Sequence, residues 1–224
     1  MQPVDPATLY SLPQVVGVAR LAPYLAAQGG DAAEAVRLYT WNIEASAALL
    51  GAYAALEVGL RNAIHDQLSV CFGRPDWWHA APLTIPDLDQ IAEAETYLTQ
   101  RRGAGTWGEG HVVAELKTSF WEGLLVNRYH AALWEKGLDR AFPNYTGRRA
   151  DLRLRMERLR LLRNRAAHHE PIHARDLTVD HRYMCELAGF VSADLEMWIM
   201  SHSRLPGVIA GRSDTVAGAR PSRF

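Results

Sequence analysis

Lysine is nearly missing from this chain of 224 residues: Lys117 and Lys136 stand alone beside 22 arginines. Cysteine is as scarce. Cys71 and Cys185 cannot build a disulfide framework and lack partners at metal-ligand spacing, so both read as buried thiols in a reducing compartment. The β-branched alternation that marks strands is absent, which argues against any sheet-based fold. No apolar run approaches the roughly 20 residues needed to span a bilayer. The start, Met1-Gln2-Pro3-Val4-Asp5-Pro6, lacks the basic-then-apolar order of a secretory signal. These absences predict a cytoplasmic, all-α protein with no membrane partner.

What remains is an ordinary globular composition, 48% hydrophobic and 22% charged, long enough to bury a sizeable core. A lead-in over 1–30 holds one short helix near 14–28, and Gly29-Gly30 ends it. Asp31 then offers an N-cap, with Glu34 completing a capping box, for a long helix reaching about Cys71. Ile43, Ala47, Leu50, Ala54, Val58 and Ile64 form its expected apolar stripe, and Gly51 and Gly59 are expected to allow close packing. Gly73-Arg74-Pro75-Asp76 stops that helix. Further helices are expected near 86–101, 111–125, 128–137, 149–170 and 176–201, the last with Leu187, Phe190, Val191, Leu195 and Trp198 facing the core. A main domain over 31–205 follows, and 206–224, rich in Gly, Ser and Arg and without periodicity, reads as a flexible tail.

The net charge of −1 says nothing about partners, but its distribution does. Between positions 148 and 165 lie eight arginines, and only Asp151 and Glu157 oppose them, which leaves a local charge of +6. Such a cationic stripe fits a phosphate-bearing partner; the alternative is a solvated helix face. Leu152, Met156, Leu159, Leu162 and Ala166, spaced 4, 3, 3 and 4, give this helix one buried face with arginines on both flanks. Pro171 disfavours helical geometry at Glu170, so the helix should end near His169 or Glu170. The string His169-Glu170-Pro171-Ile172-His173 spells a zinc-protease motif. Pro171 inside it would cost a continuous helix about 3 kcal/mol, so no metal is expected there.

Arg163-Asn164-Arg165-Ala166-Ala167-His168, followed by His169-Glu170-Pro171-Ile172, resembles the R-x(4–6)-H motif of HEPN domains. The closest likeness is to the Abi-like (abortive infection) branch. Trp41-Asn42-Ile43-Glu44, the segment Ala55 to Ile64, Gly110 to Leu116 leading to Phe120-Trp121, Ala141-Phe142-Pro143 and Asp176-Leu177 carry the likeness over about 31–205. Arg74…His79 and Arg175…His181 fit the bare spacing too, but in loop-adjacent positions. The resemblance implies a HEPN-like helical bundle with additional helices that dimerises. It implies a metal-independent, cofactor-free endoribonuclease of a phage-defence or toxin–antitoxin system, with RNA as substrate and an antitoxin or regulatory RNA as a further partner. Relatives that have lost catalysis and only bind RNA or proteins supply the alternative.

Metal-free RNA cleavage needs a base for the 2′-hydroxyl, charge stabilisation on the phosphorane and an acid for the leaving oxygen. Histidine titrates near neutrality, and arginine offers a fixed charge with a bidentate fork. His168 is therefore expected as the proton-transfer residue, Arg163 as the stabiliser and Asn164 as an orienting group, with His169 as understudy. Arg163 and His168 lie roughly 140° apart around a helix, an offset that a second copy of the motif would resolve. Products would carry a 2′,3′-cyclic phosphate and a 5′-hydroxyl. Arg155, Arg158, Arg160, Arg165, Arg61 and Asn62 are expected to contact RNA, although Glu57 and Arg61 (i, i+4) also read as an ion pair. The plainer alternative has His168 and His169 capping helix carbonyls. Trp77-Trp78 reads as packing, with base stacking as the alternative.

Overall fold

The computed structural model describes residues 6–224, and no strand occurs among them. Reading Met1 to Asp5 for a signal therefore concerns positions outside the described residues. Eleven α-helices are seen among those described: α1 (Pro6–Val16), α2 (Val18–Ala27), α3 (Ala32–Phe72), α4 (Ile85–Arg102), α5 (Glu109–Glu115), α6 (Thr118–Gly123), α7 (Arg149–Ala167), α8 (Leu177–Val191), α9 (Ala193–His202), α10 (Leu205–Ala210) and α11 (Arg212–Ala217). The fold is all-α. Short 3-10 and π turns replace the helix expected near 128–137.

Two compact units share the chain. One comprises Met1–Tyr53, Leu162–Arg182 and His202–Phe224, and the other Ala54–Leu161 and Tyr183–Ser201. The chain passes between them inside α3, α7, α8 and α9.

In the first unit, Asp31 Oδ1 accepts the Glu34 amide at 2.9 Å, as an N-cap should. The reciprocal half of the expected box is replaced, because the Asp31 amide donates to the Gln28 carbonyl. The buried face of α3 here is Leu38, Trp41, Ala45, Leu49 and Ala52, whereas Ala47 is exposed and Ile43 and Leu50 are half-buried. On a helix this rich in alanine and leucine, more than one stripe satisfies the apolar period. The segment expected as a flexible tail is instead α10 and α11, with Leu205, Val208 and Thr215 buried. It is fastened to α3: Trp41 Nε1 donates to the Val208 carbonyl at 2.8 Å, and Arg220 pairs with the buried Glu44 at 3.0 Å. Helices of six residues are too short to stand alone and take their order from such contacts.

The second unit is built on aromatic packing. Trp77 and Trp78 are 0% and 2% exposed and meet edge-to-face at 5.7 Å, so neither is open to a nucleobase. Phe120 lies 6.4 Å from Trp77 and 5.2 Å from Trp121. Leu56, Leu60, Ile64 and Leu68 are its buried α3 face, while Ala54 is exposed and Val58 is 43% exposed. Of the two glycines expected to permit close approach, only Gly59 does so: a Cβ there would fall 2.3 Å from Leu195 Cδ2, whereas one at Gly51 would meet nothing. The helix expected over 176–201 breaks at Ser192, which shifts the buried face of α9 to Ile199 and leaves Trp198 54% exposed. Cys185 is buried as expected, but Cys71 is only half-buried.

By length and composition α3 could cross a membrane, contrary to the reading of its apolar runs. Its best 18-residue stretch has a mean hydropathy of 1.4, and half of it is buried. The core helix of a water-soluble fold meets the same description.

Three histidines have pKa values held below their ordinary 6.5. Burial is the first cause for His65, His173 and His181, and the Arg212 and Arg165 cations add to it at His173. His65 Nδ1 accepts the Trp77 indole N–H at 3.2 Å, a bond that needs the neutral ring. Each ring binds a proton more weakly in the folded protein than in the unfolded chain. The stability they contribute is therefore complete above about pH 6.5 and is lost as pH falls below it. Urea midpoints measured from pH 8 to 5 should decline below 6.5; a flat profile over that window contradicts the assignment.

Candidate functional site

The motif closes α7, whose buried face is the expected one: Leu152, Met156, Leu159, Leu162 and Ala166 are all at most 2% exposed. The helix stops at Ala167, two or three residues earlier than Pro171 alone suggested. The stop has a defined geometry. The Glu170 amide donates to the Arg165 carbonyl at 2.8 Å and the His169 amide to the Ala166 carbonyl at 3.1 Å. This is the paired bonding of a Schellman cap, which normally places glycine in the left-handed position. Here His169 occupies it, with φ 58°, the one positive-φ residue other than glycine among those described. His169 and His173 accordingly do not share a helix, since α8 begins only at Leu177.

A β-branched side chain tolerates this conformation least, and a left-handed residue with a Cβ costs roughly 1–2 kcal/mol. His169 already bears that cost, so His169→Val is expected to lower stability only by the excess of a β-branched over an unbranched side chain, a fraction of that amount. Chemical denaturation checks it, and an unchanged midpoint would remove the strain from the account.

Around this cap the structure brings several expected residues together. Arg163 Nη1 donates to Asn164 Oδ1 at 3.2 Å, and the His168 amide donates to the Asn164 carbonyl at 2.9 Å. Arg163 and Asn164 are half-buried; His168 and His169 are exposed. Arg165 turns back on its own turn: Nη2 donates to the Pro171 carbonyl at 2.9 Å, and Nε lies 3.5 Å from Glu170. Two residues that sequence reasoning missed also act here. Arg20 Nη1 donates to the His169 carbonyl at 2.8 Å, and Arg212 Nη1 donates to the His173 carbonyl at 2.8 Å. Both reach the turn from far away in sequence, so no local signal marks them.

The remaining candidates lie in the second unit and are largely engaged within it. Arg160 Nε pairs with Glu122 at 2.6 Å, and Arg153, which belongs to the same stripe, pairs with Glu122 at 3.1 Å and Glu157 at 3.3 Å. Arg155 pairs with Glu186 and lies over the Tyr183 ring, as does Arg158 at 5.1 Å. Arg61 donates to the Ala114 carbonyl at 3.3 Å, Glu57 accepts from Thr118, and Asn62 is exposed. The +6 counted along the stripe is thus partly offset by Glu122 and Glu186 on other elements. The two decoy pairs are engaged as well: Arg74 with Asp76, and Arg175 with the fully buried Asp180.

Chemically, the last turn and cap of α7 carry two exposed imidazoles, a guanidinium and a carboxamide. That set can transfer protons and hold an oxyanion. No group of three or more His, Cys, Asp or Glu able to hold a metal occurs among the described residues. The chain matches no protein-family model, no curated protein and no solved structure.

Proposed function

We propose that this protein is a metal-independent endoribonuclease of the Abi-like HEPN type, serving phage defence or a toxin–antitoxin pair in the cytoplasm. The observation that carries the reading is the cap of α7. An exposed His168 follows Asn164 by one turn, and Asn164 takes the Arg163 guanidinium. His168 moves the proton of the attacking 2′-hydroxyl, Arg163 stabilises the phosphorane, and Asn164 orients them; His169 can substitute as the base. A homodimer of HEPN-like bundles supplies a second motif, which answers the offset of Arg163 from His168. An antitoxin or regulatory RNA would hold such an enzyme in check. Incubation of the purified protein with RNA in EDTA tests the reading: fragments ending in 2′,3′-cyclic phosphate and 5′-hydroxyl are expected, and intact RNA overturns it.

The concentration of eight arginines over 148–165 supports a second reading, a catalytically silent HEPN module that binds RNA or a protein, although Arg153, Arg155 and Arg160 pair with carboxylates. It predicts RNA affinity that falls steeply with salt as counterions are released, without any products.

A further inference from the structure

The turn that leaves α7 is held by more polar contacts than its length requires. Over 169–173, carbonyls or amides of His169, Pro171, Ile172 and His173 each meet a side chain, contributed by Arg20, Arg165, Asn42 and Arg212. Asn42 differs from the other three. Its side chain is 2% exposed, and its single oxygen accepts two amides, Ile172 at 2.8 Å and His173 at 3.1 Å. Ile172 and His173 are themselves buried, at 0% and 7% exposure. Their N–H groups would have to find other partners if this acceptor were removed. Immediately upstream lies His169 in a conformation that a residue with a Cβ adopts only when its surroundings over-determine it. Upstream again is His168, the first residue past the helix, whose direction depends on where the chain goes next.

We propose that Asn42 is a positioning residue for the His168 imidazole, clamping the 172–173 amides so that the left-handed turn at His169 persists. This rests on the nuclease reading for its consequence in catalysis, though not for the clamp itself. Asn42 touches no reacting atom. It works through the backbone, as a fixed acceptor on a helix that the turn must dock against.

The test compares Asn42→Ala with Asn42→Asp, which keeps an oxygen able to accept both amides. In an RNA-cleavage assay, Asn42→Ala is expected to lower kcat about a hundredfold, the scale of a misplacement near 1 Å, with KM little changed. Asn42→Asp should recover most of that loss. A kcat for Asn42→Ala equal to wild type, or an Asp variant no better than Ala, overturns the proposal. Amide hydrogen exchange provides a readout independent of activity. The Ile172 and His173 amides should be protected in wild type and in Asn42→Asp, and exchange at loop rates in wild type overturns the clamp even if Asn42→Ala does not fold. The NMR chemical shifts of the His168 ring should change in Asn42→Ala and return in Asn42→Asp. If wild type leaves RNA intact, the nuclease reading falls, while amide exchange and the ring's chemical shifts still decide the clamp.

Discussion

His168→Ala should reduce RNA cleavage in EDTA by about 10²–10⁴-fold, the range that one positioned proton-transfer group contributes. The expectation follows from accessibility and from what surrounds the ring. His168 is exposed, so substrate can reach it. No other exposed histidine shares a helical turn with Asn164, apart from its neighbour His169. The control is His169→Ala, which should lose less if His169 is the understudy. Single-turnover cleavage of a short RNA measures both. If His168→Ala and wild type cut at the same rate, the catalytic assignment is wrong; if only His169→Ala loses activity, the two histidines exchange roles.

The second large effect concerns stability. Glu122, 6% exposed on α6, receives Arg153 and Arg160 of α7, one guanidinium on each carboxylate oxygen. The arginine side chains are 27% and 20% exposed, so water screens neither fully. Glu122→Ala leaves the partly buried Arg160 without its counter-charge and Arg153 with Glu157 alone, and breaking a buried pair this way costs about 3–5 kcal/mol. In a chain of this size that corresponds to a fall in Tm on the order of 10 °C. Arg148→Ala, by contrast, removes a pair whose arginine side chain is 84% exposed, and should leave Tm unchanged. Thermal unfolding followed by circular dichroism compares the two. Equal small shifts would mean that the Glu122 cluster contributes no more than a surface pair.

That cluster also marks the limit of what the sequence could reveal. The helical class was legible because strand alternation is missing, and the buried face of α7 because Leu152 to Ala166 keep one period against a polar background. On α3 the background is itself apolar, so the period did not select a face, and Trp41 and Leu56 are buried where Ile43 and Val58 were expected. The arginine stripe read as opposed only by Asp151 and Glu157 because its further carboxylates, Glu122 and Glu186, lie about 30 residues or more away in the chain. In the motif, resemblance and context single out Arg163, Asn164 and His168, because Arg74…His79 and Arg175…His181 satisfy the bare spacing as well. The left-handed conformation of His169 could not be found, because Pro171 signals only that a helix ends, not how. Nor could the reach of Arg20, Asn42 and Arg212 to the turn, which depends on long-range packing.

The fastening of α10 and α11 to Trp41 and Glu44 has a consequence for how the protein is made. Ribosomal synthesis delivers 54–161 and 183–201 before it delivers 205–220, so the second unit has all its segments first. The unit that carries the motif stays open, with Glu44 lacking its arginine and the 173 carbonyl lacking Arg212, until those last helices emerge. The turn that follows α7 therefore gains its Arg212 contact only after α11 has begun to emerge, long after α7 itself has been made.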